Sequence, residues 1–580
     1  MAAATLAPCA GVPVKREPAA LESHEFDLLV VGGGIFGACA ALDATQRGLS
    51  VALIERADFG SGTSAHSFKM IHGGIRYLQH LDLVRIRQSA AARRTFLRVA
   101  PHLSMPLPIV VPTYGLAMKS KWVMRLGMAA YDLLTLDRNR GVTDPSRRIP
   151  AGRTLSRAEV LARYPGLASR ELSGAAVFCD GQMYNPPRLV LSFVRSAAEG
   201  GAVVANHVEV RKLLREGSRV CGLEARDALS GETLRARAKV VLNAAGPQAE
   251  GLAASGLGRP LEPPTPWSRD ACFVVGRAVV PGDHALAIPA RSKDPGALLS
   301  RGERQLFLVP WHGSTLVGVW HKVHTGHPDA FCVSEAELAA WIDEVNGTYP
   351  GAALTLDEVR MVNAGLIPFG ENDAEAGDLH FGHRSRLIDH RRDHQIDGLI
   401  TLIGVRYTTG PEEAALAVDR VFDQLGRRAP RSRLDTTPVA GGDIDDFEAL
   451  VAHAKRERPD SLAASCVRPL VHLHGTRYPE LFSAVRACPA LGRTVGDTDT
   501  PAVSVVHAVR DEMAQTLADV VLRRTDLGTA GVADDAGLRA CAELLAAELG
   551  WDPARIAQER AGLEAGIPAV LRSRARGSIP

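Results

Sequence analysis

The chain has 580 residues, 46% hydrophobic and 23% charged, so it can bury a large core without disulfide or metal staples and is neither disordered nor a multi-span membrane sequence. Lys and Arg number 67 against 65 Asp and Glu, and the net charge of +2 excludes a global field that would make nucleic acid the main partner. The nine cysteines form no CxxC pair, which argues against a disulfide framework or a zinc-finger site and fits a reducing compartment. No apolar run reaches the length of a spanning helix. Residues 1–24, rich in Ala, Pro and Glu, lack the build of a secretory signal and are expected to form a disordered lead-in.

From Phe26 the pattern turns regular. Phe26–Val31 reads as a buried parallel strand, Ala38–Gly48 as a helix closed by glycine, and Val51–Glu55 as a second strand, together a βαβ unit. Pro187 opens a helix that Gly200-Gly201 stops, and β-like runs follow at Val203–Val210, Arg219–Arg226 and Leu234–Asn243. Residues 270–325 read as β-rich. Leu399–Val405 reads as another strand, with a helix over Glu412–Leu425 after it. Beyond a Pro/Gly/Arg/Asp-rich stretch the chain turns helical, and Val505, Val509, Met513, Leu517 and Val521 predict one amphipathic helix between Pro501 and Gly528. The fold class expected is α/β: a Rossmann-like domain interleaved with a β-rich domain, plus a C-terminal α-helical domain. The boundaries expected are 1–25 for the lead-in and 26–430 for the interleaved α/β region. Within it, the Rossmann-like parts lie near 26–115, 180–260 and 360–430 and the β-rich cap near 261–359. A linker follows at 431–447 and the helical domain at 448–580.

Gly32-Gly-Gly34-Ile-Phe-Gly37 follows a strand and opens a helix. Gly32 allows the tight turn, Gly34 lets the backbone approach a pyrophosphate, and Gly37 lets helix and strand pack closely. The helix N-terminus offers unpaired N–H groups to phosphates. Glu55 ends the second strand, where a carboxylate accepts ribose hydroxyls. Glycines alone do not separate NAD from FAD.

The next stretch does. Gly62-Thr-Ser64-Ala-His66-Ser-Phe-Lys69-Met-Ile-His72-Gly73-Gly74-Ile-Arg76-Tyr77 resembles the second flavin loop, TSxxSxKxIHGGxRYL, of the FAD-dependent glycerol-3-phosphate dehydrogenases, flavoproteins of the D-amino-acid-oxidase-like superfamily. The resemblance continues at Asp180-Gly-Gln182, Asn243-Ala-Ala-Gly246-Pro247, Ser385-Arg386, the turn at Gly404, and His507 through Thr525, covering roughly residues 26–550. It implies tightly bound FAD, held by Gly32, Gly34, Gly37, Glu55, Thr63, Ser64, Ser67, His72, Gly73, Gly74, Val208, Ala245, Gly246, Gly404, Val405 and Thr408. It implies hydride transfer from a C–OH of a small anionic substrate, sn-glycerol 3-phosphate the leading choice, with electrons passing to quinone or to oxygen. Arg76, Tyr77, Arg406 and His321 are the candidate catalytic and substrate-contacting residues. Tyr77 has a second reading as a packed core ring, and His321 as a surface histidine at a strand end.

Four departures fall on the substrate half. Arg269-Asp-Ala-Cys272 stands where the family has RGxH with a histidine proposed as base, and a thiol is a poor substitute for imidazole at neutral pH. Gly318-Val-Trp320-His321 replaces GTTD, with Trp320-His321 expected to enter the pocket. Gly365-Leu-Ile367-Pro368 replaces GVRPL and loses an arginine, and Gly404-Val-Arg406 replaces a GGK segment. These leave two rivals open: an oxidoreductase for another hydroxy acid or biosynthetic intermediate, and a flavin-binding protein without turnover. Lys119–Tyr131 carries Lys119, Lys121 and Arg125 on one side and Trp122, Val123 and Leu126 on another. It reads either as a helix resting on an anionic membrane or as one packed on the core. The location expected is cytoplasmic, with peripheral contact at the inner face of the membrane among the readings. A homodimer stays open.

Overall fold

The computed structural model describes residues 14–115, 121–167, 170–293, 303–368, 385–531, 533–566 and 571. Its strands, in chain order, are β1 (Glu25–Val31), β2 (Val51–Ile54), β3 (Met70–Ile71), β4 (Ser104–Tyr114), β5 (Arg153–Ser156), β6 (Leu172–Met183), β7 (Val203–Ala205), β8 (Val208–Glu216), β9 (Arg219–Asp227), β10 (Thr233–Asn243), β11 (Trp267–Val275), β12 (Ala285–Lys293), β13 (Glu303–Trp311), β14 (Ser314–His324), β15 (Val359–Pro368), β16 (Arg386–Asp389) and β17 (Leu399–Ile403). The first three α-helices are α1 (Ile35–Gln46), α2 (Leu83–Val99) and α3 (Lys121–Leu134).

Among the described residues the strands form two sheets. The first runs β16-β17-β10-β1-β2-β7, with β8 and β9 as an antiparallel extension from β10. Pairs β1–β10, β1–β2, β2–β7 and β10–β17 are parallel. Parallel strands covered on both faces must be apolar throughout, and Leu28, Leu29, Val30, Leu53, Val241 and Leu242 are all fully buried. Helix α1 packs on one face with the helices Pro186–Glu199 and Gly410–Gln424. The second sheet runs β15-β11-β14-β13-β12-β4-β6-β3, with β5 on β6. Strands of the two sheets alternate along the chain, so the layers are interleaved rather than sequential.

The C-terminal helices from Phe447 onward close on two apolar clusters, one around Phe447, Val467 and Phe482, the other around Val505, Leu517 and Leu545. The stretch at 431–447 is packed: Leu434 and Val439 join the α1 core, and Val439 N–H donates to Val99 O at 3.0 Å.

Three expectations are corrected. The segment expected as a disordered lead-in is ordered from Val14, with Leu21 fully buried and Arg16 in a bidentate ion pair with Asp227 (2.8 and 3.1 Å). Residues 1–13 lie outside the described residues. The run Val203–Val210 is two strands, because His207 takes a left-handed conformation (φ +54°) and turns the chain from the parallel layer into the β8–β9 hairpin. The single helix expected over 501–528 is Ala502–Glu512, then a left-handed Met513 (φ +57°), then a short turn at Leu517–Asp519 running into Val520–Arg524. Val505, Met513, Leu517 and Val521 are buried all the same. The break lets Glu512 O accept from Arg524 Nε at 3.1 Å while the Glu512 carboxylate meets Arg188 and Arg195.

Candidate active site

One cavity of about 1450 Å³ opens along the C-terminal ends of β1, β2, β10 and β17 and is roofed by the second sheet. Gly32 leaves β1 at φ +104°, and a Cβ there would lie 2.5 Å from Ala244 O. A Cβ on Gly37 would lie 1.8 Å from Gly32 O, so this position admits only glycine. Gly34 differs. It is the N-cap of α1, and a Cβ there would touch only Ser64 Oγ, at 3.2 Å. The space beside it belongs to the cavity, in front of a helix N-terminus, which is the cradle a pyrophosphate needs.

At the end of β2, Glu55 is fixed by two backbone donors, Gly33 N–H (2.7 Å) and Ala57 N–H (2.9 Å), one on each oxygen. Burial raises its pKa, and the two hydrogen bonds work against that rise. Each oxygen keeps a lone pair for a ribose hydroxyl. Val208 N–H donates to Glu55 O at 2.9 Å, which sets the start of β8 against the same wall. The donor set, the open cradle and the length of the cavity fit a dinucleotide.

The opposite wall comes from two turns. Ala245 and Gly246 (φ +58°) leave β10, and Gly404, Val405 and Thr408 follow β17. A Cβ on Gly404 would lie 1.9 Å from the Phe36 ring, so the turn after β17 closes on α1 only through glycine. The loop that carries Thr63, Ser64 and Ser67 spans from one sheet to the other. Ser64 Oγ accepts from Ile35 N–H (3.0 Å), and Thr63 Oγ1 donates to Leu366 O (3.2 Å).

Polar side chains converge at the other end of the cavity. His72 Nδ1 lies 3.1 Å from Asp180 Oδ2, and Asp180 Oδ1 accepts from Gly73 N–H (2.7 Å) and Arg93 Nη1 (3.2 Å). Burial works to raise the Asp180 pKa, but the hydrogen bond and charge of His72, with Arg93 and Gly73 N–H, outweigh it and leave it lowered. Gly74, at φ +83°, turns the chain into the short helix Ile75–His80. From that helix Tyr77 Oη accepts from Arg406 Nη1 at 3.0 Å, with the guanidinium carbon 5.7 Å from the ring centre. Tyr77 is thus a hydrogen-bonded cavity residue and not a core ring. The Arg76 side chain lies outside the described residues.

On the roof, His321 Nδ1 lies 2.8 Å from Asp270 Oδ1, the residue opposite it in the β11–β14 register. Trp320 does not enter the cavity, which corrects the expectation for the Trp320-His321 pair. Adjacent strand residues face opposite ways. Trp320 stacks on Phe273 (5.6 Å) and Trp341 (4.7 Å) behind the sheet, and its Nε1–H donates to Glu344 (3.0 Å). Cys272 is buried, and burial lifts its thiol to about 12, so it remains protonated at neutral pH. Ile367 lines the cavity.

Several residues at the site carried no role in the sequence reading: Asp180, Asp270, Arg93, Lys69 and Asn363. Lys69 is buried, burial brings its ammonium down to about 8, and its Nζ donates to Asn363 Oδ1 at 3.2 Å. His66 lines the cavity nearby, and burial, with Lys69 beside it, lowers it to about 4, so it is neutral. The signal for Asp180 and Lys69 was their place inside motifs, but nothing local in sequence names their partners.

The profile described as FAD dependent oxidoreductase matches residues 27–409, and that of the C-terminal domain of alpha-glycerophosphate oxidase matches 432–556. The chain is 32% identical to a glycerol-3-phosphate dehydrogenase of Synechocystis sp. over 92% of its own length and 94% of the relative's. It is 28% identical to an alpha-glycerophosphate oxidase of Streptococcus pyogenes over 87% of this chain and 89% of that one. It is 30% identical to human mitochondrial glycerol-3-phosphate dehydrogenase, covering 94% of this chain and 75% of that one. The fold is shared with a Bacillus halodurans glycerol-3-phosphate dehydrogenase solved in complex with FAD, at a TM-score of 0.72 and 22% identity, covering 94% of this chain and 95% of that one. The cavity has the form of a dinucleotide cradle and the family match spans most of the chain: the protein belongs to the FAD dependent oxidoreductase family.

Proposed function

We propose that the chain oxidises sn-glycerol 3-phosphate with FAD as the hydride acceptor and passes the electrons to a quinone. The observation that carries this reading is one cavity that joins the Gly34 cradle at one end to the Tyr77–Arg406 pair and an imidazole–carboxylate pair at the other. FAD supplies a two-electron acceptor for the hydride of the C–OH carbon. The chain supplies position and charge. Arg406 offers a planar fork that can grip a phosphate through two N–H groups. Tyr77 turns the fork by accepting one of its hydrogens and offers its own O–H to the substrate. Asp180 holds the Nδ1–H tautomer of His72, which leaves Nε2 as the acceptor for the hydroxyl proton. His321, which also lines the cavity with its Nδ1 2.8 Å from Asp270 Oδ1, is the second position from which that proton can be taken.

Arg406→Ala should lower kcat/KM about 10- to 100-fold, the loss expected for one charge-assisted contact of roughly 1.5–3 kcal/mol. FAD content should hold, because the cradle is built of backbone groups. Anaerobic bleaching of the flavin by sn-glycerol 3-phosphate tests the reaction itself. Ile367 and Cys272 favour a second reading, an oxidoreductase for another hydroxy acid, since both put a neutral surface on the substrate side. Rapid bleaching by a non-phosphorylated hydroxy acid, with none by glycerol 3-phosphate, would establish that second reading.

Quinone reduction asks for a membrane surface beside the cavity. Leu81, Leu83, Val84, Leu126, Leu133 and Leu136 are exposed by 48–74% on α2, α3 and the turns that flank them, and Tyr77, Asp82 and Arg85 next to them line the cavity. We infer peripheral contact through this face. No helix among the described residues is long and apolar enough to cross a membrane. Each buried leucine is worth about 1.5–3 kcal/mol. The double change Leu126→Asp with Leu133→Asp should therefore cut co-sedimentation with anionic lipid vesicles by at least roughly tenfold, leaving the folded state intact because both side chains point to solvent. Unchanged sedimentation removes this face from consideration. Side chains of Lys121, Trp122 and Val123, and all of Lys119, lie outside the described residues.

A further inference from the structure

The two layers are also tied together at the cofactor end of the cavity, away from the reacting groups. Asp329 lies on the loop after β14, the roof sheet. Its Oδ1 accepts from Arg56 Nη2 (2.7 Å) and its Oδ2 from Arg56 Nη1 (3.2 Å), a parallel two-point pair. The same Oδ1 accepts from Gln248 Nε2 at 2.7 Å. Arg56 directly follows Glu55, the ribose acceptor at the end of β2. Gln248 lies two residues after Gly246, in the turn that leaves β10. A single carboxylate from the roof is therefore held by both segments that border the adenosine half of the cradle, 273 and 81 residues away in the chain. Arg56, Asp329 and Gln248 all line the cavity.

The pair is a poor candidate for holding the fold. The Arg56 and Asp329 side chains are 46% and 47% exposed, and ion pairs in that setting contribute little to stability. What the contact does is span an opening. The Arg56 hydrogen bond and charge keep the Asp329 carboxyl lowered, so the link is charged at neutral pH. Three polar groups from three segments, wet on one side and cavity-lining on the other, form a clasp over the groove rather than a beam inside the core.

We propose that Asp329 straps the adenosine half of bound FAD into its groove, so that cofactor release requires the Arg56–Asp329–Gln248 link to open. The inference rests on FAD binding in this groove. It makes Asp329 a positioning residue for the cofactor, acting through Arg56 and Gln248. Since the pair is exposed to solvent, salt screens it and speeds opening.

The test is FAD release from the purified holoenzyme, followed as the rise in free-flavin fluorescence after dilution, at the temperature where the wild type releases over minutes. Asp329→Ala should release FAD about two- to fivefold faster, the factor that corresponds to a solvent-exposed pair. Raising NaCl from low to high concentration should accelerate release from the wild type and leave Asp329→Ala nearly unchanged. The charge swap Arg56→Asp with Asp329→Arg should recover slow, salt-sensitive release, which a general loosening of the loop would not do. Equal release rates for wild type and Asp329→Ala, or equal salt sensitivity in both, would overturn the strap. A wild type that carries no flavin would overturn FAD binding itself, so the two failures are told apart by the absorption spectrum before release is measured.

Discussion

Arg524→Ala should destabilise the folded chain by about 3–5 kcal/mol, the cost of breaking a buried ion pair from one side. Arg524 and Asp58 are both fully buried. Arg524 Nη1 and Nη2 donate to the two Asp58 oxygens at 2.6 and 2.8 Å. Asp58 also accepts from Arg523 Nε (2.7 Å) and Asn206 Nδ2 (2.9 Å). Arg523 reaches on to Asp519 (2.6 Å), which lies 2.9 Å from His207 Nε2. Asp58 stands three residues beyond Glu55, so this network fastens the C-terminal helices to the loop that follows β2. Loss of Arg524 leaves excess negative charge in a dry site, and the urea midpoint should fall accordingly. Replacing Arg524 and Asp58 together by apolar residues of similar volume should be milder than either change alone, because no unpaired charge remains. A midpoint for Arg524→Ala within about 0.5 kcal/mol of wild type would remove the network from the stability of the fold.

The same network sets an acid limit. Burial works to raise the Asp519 pKa, but the hydrogen bond from His207 and the charges of Arg523, His207 and Arg524 outweigh it and hold it far below its ordinary 3.8. A carboxyl depressed in the folded state contributes stability that is complete above its unfolded pKa and is lost as pH falls below it. Unfolding on acidification should therefore steepen below about pH 4, and Asp519→Asn should flatten that limb.

Gly34→Asp should give a folded, colourless protein. Gly34 has φ −75°, which any residue adopts, and it is the N-cap of α1, a position that Asp favours. Nothing but Ser64 Oγ limits a Cβ there. The new carboxylate would cap the helix and occupy the open cradle with the wrong charge. Like charges about 4 Å apart in a partly screened site repel by roughly 4 kcal/mol, which is close to a thousandfold in affinity. The unfolding midpoint should stay at or above that of wild-type apoprotein while bound FAD, read from the visible spectrum, disappears. Stoichiometric flavin in Gly34→Asp would show that the pyrophosphate lies elsewhere. Gly37→Val is the contrasting case. With 1.8 Å to Gly32 O, a side chain there displaces the backbone, and the expected result is insoluble protein.

The turn that opens the candidate cofactor site was legible in sequence because its requirements are local. A tight turn at Gly32, a close helix–strand approach at Gly37 and an open cradle at Gly34 lie within six residues, and each shows as a glycine. Glu55 is carried by the strand that the same βαβ unit must form. The continuous apolar runs of β1 and β10 announce strands covered on both faces. The stretch from Thr63 to Tyr77 was readable as an unbroken motif.

The substrate half was decided by tertiary structure, because its groups meet across the chain. Tyr77 and Arg406 are 329 residues apart and touch only after two separate turns converge on one cavity. Asp270 meets His321 only because β11 and β14 pair in one register, and a shift of one residue would turn His321 to the opposite face. Trp320 was within reach of sequence reasoning, since alternation forbids two adjacent strand residues from sharing a face, yet which of the two faces the cavity depends on where the second sheet lies. The four-residue apolar repeat from Val505 to Val521 fixes which side chains are buried but not whether one helix or two carry them. Glu512 decides that, because its carboxylate and its carbonyl must reach arginines from different segments at once, and only a chain broken at Met513 lets both arrive. Local pattern registers what each residue needs, whereas long-range charge pairing determines which of several local solutions the fold adopts.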